Sequence, residues 1–189
     1  MVISKTEKWT VEKLMKLTRE EVLELWGQCP AADIAELDGE YTGLIPNGEN
    51  EEIIKRTAEH MYNESGPLGY WLGKAYKQLG ATIGDGYNAW RRPGGVVERY
   101  MRFATETGTS LIDGKPSLMM YYGAYRHRFV PEGKDNTLTD EIRKLADGLY
   151  LGVGTSMMPD GSRTPPGHFA LAGPNGPWIG PDPGNIELK

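Results

Sequence analysis

One cysteine, three histidines and three phenylalanines in 189 residues set the first limits on this chain. Cys29 has no second cysteine to pair with, which excludes an internal disulfide and agrees with a reducing compartment. It stands beside Pro30 with no histidine near it in sequence, so it reads as a small packed thiol. His60, His127 and His168 are far apart, and neither H-x-x-x-H nor C-x-x-C occurs, so no metal site is predicted. A lone histidine can still hold a haem. The glycine-rich stretches lack both the P-loop and the dinucleotide fingerprint, so nucleotide binding is not signalled and no cofactor is expected.

Positive charge is also short. Lys and Arg number 21 against 26 Asp and Glu, a net charge of -5 that repels phosphate backbones and argues against nucleic acid as a partner. No apolar run is long enough to cross a bilayer. The segment Met1 to Trp9 lacks the apolar core and cleavage site of a secretory signal, which predicts a cytoplasmic chain. With 39% hydrophobic and 25% charged residues the chain is globular, and its length fits one domain over 1–189.

What is present divides into a helical front at 1–37, a β region over 38–172 and a Pro/Gly-rich tail at 173–189. Thr10 caps a turn carrying Val11, Leu14 and Met15, and Thr18 with Glu21 spells a capping box before Val22, Leu25 and Trp26. A first strand follows at 38–45. Asn50 caps a helix over 51–63 with a stripe of Ile54, Ala58, Met61 and Tyr62. From Gly69 onward, apolar runs of strand length alternate with turn signals, predicting strands at 69–77, 86–91, 96–107, 110–113, 117–125, 141–145, 149–155 and 167–172. Asp147-Gly148 is a hairpin turn. The proline-rich tail is expected to be extended, pinned by Trp178 and Ile179, and able to cover a barrel end. The fold class is α+β, mainly antiparallel β, as a small barrel or strongly curved sheet with N-terminal helices.

Three segments resemble a bacterial lipocalin-like family of uncharacterised proteins named for its GXWXG motif. Gly39-Glu40-Tyr41-Thr42-Gly43 has that spacing with Tyr for Trp. Gly69-Tyr70-Trp71-Leu72-Gly73-Lys74-Ala75-Tyr76 is similar to the glycine-aromatic-lysine segment that comes next, and 140–152 is similar to the family's C-terminal part. The resemblance spans about 37–172 and implies a calycin-like barrel with an internal cavity; the family's own chemistry is largely unassigned.

Strand alternation decides which side chains face such a cavity. Arg99 shares parity with Val97, Met101 and Phe103, so it either points inward, toward a carboxylate or an acidic ligand, or stands at the mouth with its head in water. Tyr121 and Tyr125 lie on one face of their strand and Met120 and Tyr122 on the other; either face offers methionine and tyrosine to an apolar ligand or to a core. Ten Tyr and five Trp against three Phe favour a cavity whose walls hydrogen-bond. His168, opposite Phe169 and Leu171, is the leading acid-base candidate if its face is inward and a solvent-side residue if not. Glu40 reads as a pocket base or an outward charge. Lys74 is a candidate cavity cation, able to act as a base or to form a Schiff base if burial depresses its pKa. Asp140 and Arg143, three apart, suggest a structural ion pair, and Arg126-His127-Arg128 a solvated loop.

These readings converge on a cofactor-independent lyase or isomerase for a small aromatic or other hydrophobic molecule, with His168, Glu40 and Lys74 as catalytic candidates. Tyr41, Trp71, Arg99, Tyr121, Tyr125 and Arg143 are the candidate binding residues. The alternative is a non-catalytic carrier of a fatty acid, haem or aromatic compound. An open sheet edge or the helical front could support a homodimer.

Overall fold

The structure, a computed structural model that describes residues 8–127, 130 and 134–183, closes eight antiparallel strands into one barrel. The strands are β1 (Gly39–Leu44), β2 (Tyr70–Gln78), β3 (Ile83–Arg91), β4 (Val97–Thr109), β5 (Pro116–Tyr121), β6 (Thr139–Ala146), β7 (Leu149–Thr155) and β8 (Gly167–Gly176). Each pairs with its neighbour in sequence, and β1 pairs with β8 to close the ring. Eight strands leave an interior just wide enough for packed side chains or one small ligand. Met1 to Glu7 and Arg128 lie outside the described residues, so the expectations placed on them are not taken further.

Two expected strand segments are different. Residues 110–113 form a turn, because the Ser110 hydroxyl accepts the amides of Ile112 (3.0 Å) and Asp113 (3.3 Å) and curls the backbone away from extension. Beyond Tyr121 the chain winds into a single 3-10 turn, Tyr122–Ala124, instead of continuing β5. Proline also fails to end β8, which runs through Pro174 to Gly176. Its partners explain this: Thr42 faces Ala172 and Glu40 faces Gly176, so Pro174 sits in a bulge where no ladder amide is needed.

The front helices form as their caps dictate. In α1 (Val11–Met15) Thr10 accepts from the Lys13 amide, and in α2 (Arg19–Trp26) the capping box is complete, with Thr18 N donating to Glu21 at 2.8 Å. They bury Leu14, Val22, Leu25 and Trp26 in one cluster with Leu149, Leu151, Val153 and Ala170, on the outer face of β7 and β8. α3 (Glu51–His60) is shorter than expected and its stripe is not buried: Ile54 is 44% exposed. Met61 and Tyr62 leave the helix to join the sheet, the Met61 carbonyl accepting from the Trp71 amide at 2.7 Å.

Inside the barrel Tyr41, Trp71, Tyr76, Trp90, Tyr100, Phe103, Met120, Tyr122, Ile142, Phe169 and Leu171 form one core. Strict alternation would have put Phe103 and Arg99 on one side of β4. Met101 takes a φ of 55° at a register shift in which Gly86 faces Phe103 and Asn88 faces Tyr100. The bulge turns Tyr100 and Phe103 inward together and sends Arg99 to the outer wall.

The described residues after β8, 177–183, cross the outside of the wall and do not cover a barrel end, and the rest of the expected tail, 184–189, lies outside the described residues. Trp178 packs on Tyr87 with ring centroids 4.7 Å apart, the Ile179 amide donates to Tyr87 Oη, and Asp182 makes two backbone-anchored bonds to Arg99 (2.7 and 2.8 Å).

Asp140 and Arg143 do not pair, since an odd separation on a regular strand points them to opposite faces. Asp140 faces inward. Arg143, fully buried, faces outward, stacks 3.9 Å over Trp26 and holds both carboxylate oxygens of Asp113 at 2.7 and 2.8 Å. That bidentate grip pushes the Asp113 carboxyl down to about 2.

Candidate functional site

The barrel wall opens where β1 and β2 part. The two strands pair from Gly39 to Thr42 against Tyr76 to Gly73, and then the Trp71 amide turns to Met61. Two glycines make the seam. A Cβ on Gly43 would lie 2.6 Å from the Trp71 indole, and Gly73 holds a φ of 138° at a place where a Cβ would collide with the Tyr41 carbonyl oxygen. A β-bulge at Leu72 follows, since Trp71 faces Trp90 while Gly73 faces Ala89. This extra residue brings Trp71 and Lys74, three apart, to the same inner face.

A pocket of about 500 Å³ lies at this seam. Its walls include Tyr41, Tyr62, Tyr70 and Trp71, its rim includes Glu40 and Arg91, and Lys74 also lines it. Arg91 stacks on the Tyr70 ring at 4.4 Å and pairs with Glu64 at 2.6 Å. Burial raises the Tyr62 hydroxyl to about 12, against a backbone hydrogen bond at Ile45, and the Tyr41 hydroxyl likewise to about 12.

Lys74 is 4% exposed, and among the described lysines it alone is buried. Its Nζ donates to Asp140 Oδ2 (2.8 Å), Asn88 Oδ1 (3.0 Å) and Tyr122 Oη (2.5 Å). Tyr122 Oη in turn donates to Asp140 Oδ2 at 2.9 Å and accepts from Asn88 Nδ2 at 3.0 Å. Trp71 Nε1 donates to Asn88 Oδ1 at 3.1 Å, which ties the pocket wall to the network. Four rings surround the ammonium, those of Phe169, Tyr122, Phe103 and Trp71, with centroids 5.0 to 5.8 Å away. Burial lowers the Lys74 pKa, opposed by the Asp140 charge. Burial also raises the Tyr122 hydroxyl well above its usual value, with the Asp140 charge adding to it, so this phenol stays protonated as a donor.

Of the nine sequence-derived candidates, Lys74, Tyr41, Trp71 and Glu40 border this one pocket. Glu40 does so from the outer side, its Oε1 accepting from Tyr87 (2.8 Å) and from Arg99 (2.7 Å). Arg99 is therefore a wall residue that holds Glu40 and, through its backbone, Asp182. Tyr125 lies with Arg102 and Asp85 on the outer wall, the Arg102 guanidinium 4.3 Å over its ring. Tyr121 is half-buried beside Glu106, with burial and then that carboxylate raising its hydroxyl pKa. Arg143 belongs to the clasp on Trp26. His127 is buried, its Nε2 donating to the Tyr122 carbonyl at 2.8 Å, and is not part of a solvated loop.

His168 faces Val153 across the outer sheet and donates from Nε2 to the Pro46 carbonyl at 2.7 Å, away from the pocket. Burial lowers its pKa. The fold thus holds the ring neutral while the unfolded chain protonates near pH 6.5, so its contribution is complete above that pH and is lost as the pH falls below it. His168→Gln is expected to flatten the stability profile between pH 7 and 5 in urea titrations; an unchanged slope would assign that dependence elsewhere.

Asn88, Tyr122 and Asp140 are the site residues that sequence reasoning missed. Asp140 shares parity with Ile142, and an acid on a core-facing parity needs a buried cation, which was the available signal. Nothing local marked Asn88. Among the described residues no cluster of three or more His, Cys, Asp or Glu could hold a metal, and no helix is long and apolar enough to cross a membrane.

No family model and no curated protein matches the chain. A solved structure titled as a protein from Thermomonospora curvata is similar in fold, with a TM-score of 0.51 at 16% identity, covering 82% of this chain and 87% of that one.

Proposed function

We propose that this chain is a cofactor-independent lyase or isomerase acting on a small aromatic or other hydrophobic molecule, with Lys74, Tyr122 and Asp140 as its proton-moving group. The observation that carries the reading is the buried lysine, bonded to a carboxylate and a phenol, bordering an aromatic-walled pocket. Proton transfer needs groups that hold their protons differently within hydrogen-bond reach, and Nζ, Oη and Oδ2 lie 2.5 to 2.9 Å from one another. Tyr41, Tyr62, Tyr70 and Trp71 offer ring faces to an aromatic substrate, and Arg91 at the rim suits an acidic substituent. We also place the chain with the lipocalin-like GXWXG proteins; Gly39-Glu40-Tyr41-Thr42-Gly43 forms one lip of the seam, where the last glycine makes room for Trp71.

Lys74, Tyr122 and Asp140, and not His168, form the acid-base group. A panel of phenolic acids and diaryl compounds, incubated with the chain and recovered for mass analysis, tests it. Tyr122→Phe should lower the rate of any conversion about 10²–10⁴-fold, the range of a lost general acid-base, while His168→Gln should leave it nearly unchanged, since its ring bonds the Pro46 carbonyl away from the pocket. Equal loss in both variants would sink the assignment. A second reading, a carrier, is favoured by one feature: Lys74, Asn88, Tyr122 and Asp140 satisfy one another's hydrogen bonds. Binding with the compound recovered unchanged supports it.

A further inference from the structure

We infer that Lys74 is a nucleophile that condenses with the carbonyl carbon of a small aromatic aldehyde or ketone, making carbonyl compounds the substrate class of the pocket. This rests on the reading of the seam pocket as the reaction site and specifies its chemistry.

The surroundings of Nζ are those of a lasting cation. Asp140 Oδ2 lies at 2.8 Å and four ring faces enclose it. An iminium on the same nitrogen keeps the charge in place, so Asp140 and the ring faces compensate the intermediate as they compensate the ammonium. The exchange balances over three partners. The ammonium gives one proton to Asp140 Oδ2, and the freed lone pair forms the N–C bond while the carbonyl π pair moves to oxygen. Tyr122 Oη protonates that oxygen and recovers a proton from the nitrogen, giving the neutral carbinolamine. Asp140 then returns its proton to the hydroxyl, the C–O bond breaks, and water leaves. Ammonium plus carbonyl has become iminium plus water, and Asp140 is again a carboxylate beside a cation. The iminium draws electrons from the adjacent carbon, so an α C–H or Cα–Cβ bond breaks heterolytically toward it; these are the isomerase and lyase outcomes with no added cofactor.

Asn88 orients this arrangement. Its Oδ1 holds both Nζ and the Trp71 indole, and its Nδ2 holds Tyr122 Oη, so one amide sets the nucleophile, the relay and the pocket wall.

Benzaldehyde with cyanoborohydride, followed by peptide mapping of the full chain, tests the inference without a variant that risks unfolding. The reductant converts a Lys74 imine into a stable benzylamine. The expected result is Lys74 labelled severalfold faster at neutral pH than exposed Lys77 on the same strand, because burial favours the neutral amine at Lys74. Tyr122→Phe should slow that labelling severalfold and leave Lys77 unchanged. Adducts on exposed lysines with Lys74 bare overturn the inference. Ligand-observed NMR with benzyl alcohol, which has the ring and no carbonyl, then tells which reading failed. If the alcohol binds at the seam, the condensation is wrong and the acid-base pocket stands; if it does not, both are wrong.

Discussion

Lys74→Met should destabilise the barrel by about 3–5 kcal/mol, the usual cost of removing one member of a buried ion pair. At the size of this chain that is a fall in melting temperature of roughly 6–20 °C. The cost comes from what is left behind: Asp140, 6% exposed, loses its cation while still bonded to Tyr122. Asp140→Leu should cost a similar amount at pH 7, with a distinguishing pH dependence. Burial already lowers the Lys74 pKa, and Asp140 is the charge that opposes the lowering. Without it the folded lysine loses its proton at a lower pH than the unfolded one, so the penalty should shrink as the pH is raised toward 10. Lys74→Met with Asp140→Leu replaces the pair by apolar groups and should recover most of the loss. Urea denaturation of the four chains at pH 7 and 9.5 closes the cycle. Additive penalties in the double variant would show that the two groups do not interact.

The second large effect is at Arg143. Its guanidinium is fully buried, grips Asp113 through two nitrogens, stacks on Trp26 and reaches the Trp26 carbonyl at 3.3 Å. Arg143→Ala is expected to cost about 3–5 kcal/mol, and near-ultraviolet circular dichroism should report the loosening of Trp26 from the wall. Arg143→Lys should rescue little, because a point charge supplies neither the planar fork nor the stack. The same clasp sets an acid limit. Asp113 is held down to about 2 in the fold, below its unfolded value, so its contribution is complete above about pH 4 and is lost as the pH falls toward 2. Asp113→Asn should remove that part of the acid transition, and an unaltered transition would place it in other carboxylates.

The barrel was legible because its cues are local: the capping box at Thr18 and Glu21, the Asp147-Gly148 turn, and strand-length apolar runs. The site was half legible. Lys74, Tyr41 and Trp71 fell within glycine-aromatic motifs whose glycines make the seam. Their partners come from β3, β6 and the 3-10 turn after β5, 14, 66 and 48 residues away from Lys74, and no local pattern carries such pairings. Parity arguments failed wherever the backbone adds a residue. The bulges at Leu72 and beside Met101 each reverse the faces that follow, which is why Lys74 joins Trp71 and why Arg99 leaves Phe103. For His168 the outward alternative holds, its ring bonded to the Pro46 carbonyl, and no local cue in 167–171 fixed that direction.

The closure of β1 on β8 bears on how the chain is made. A ribosome releases β1, β2 and β3 long before β6 and β8, so Lys74 and Asn88 are in place while the carboxylate that balances them is still unsynthesised. A half-made barrel would have to bury an uncompensated ammonium, and water around Nζ is the cheaper state. Lys74 therefore keeps the nascent sheet open until Asp140 arrives, and β1 keeps a bare edge until β8 emerges to take it. Ring closure, which joins segments over a hundred residues apart, and charge neutralisation, which joins residues 66 apart, both become late events of synthesis.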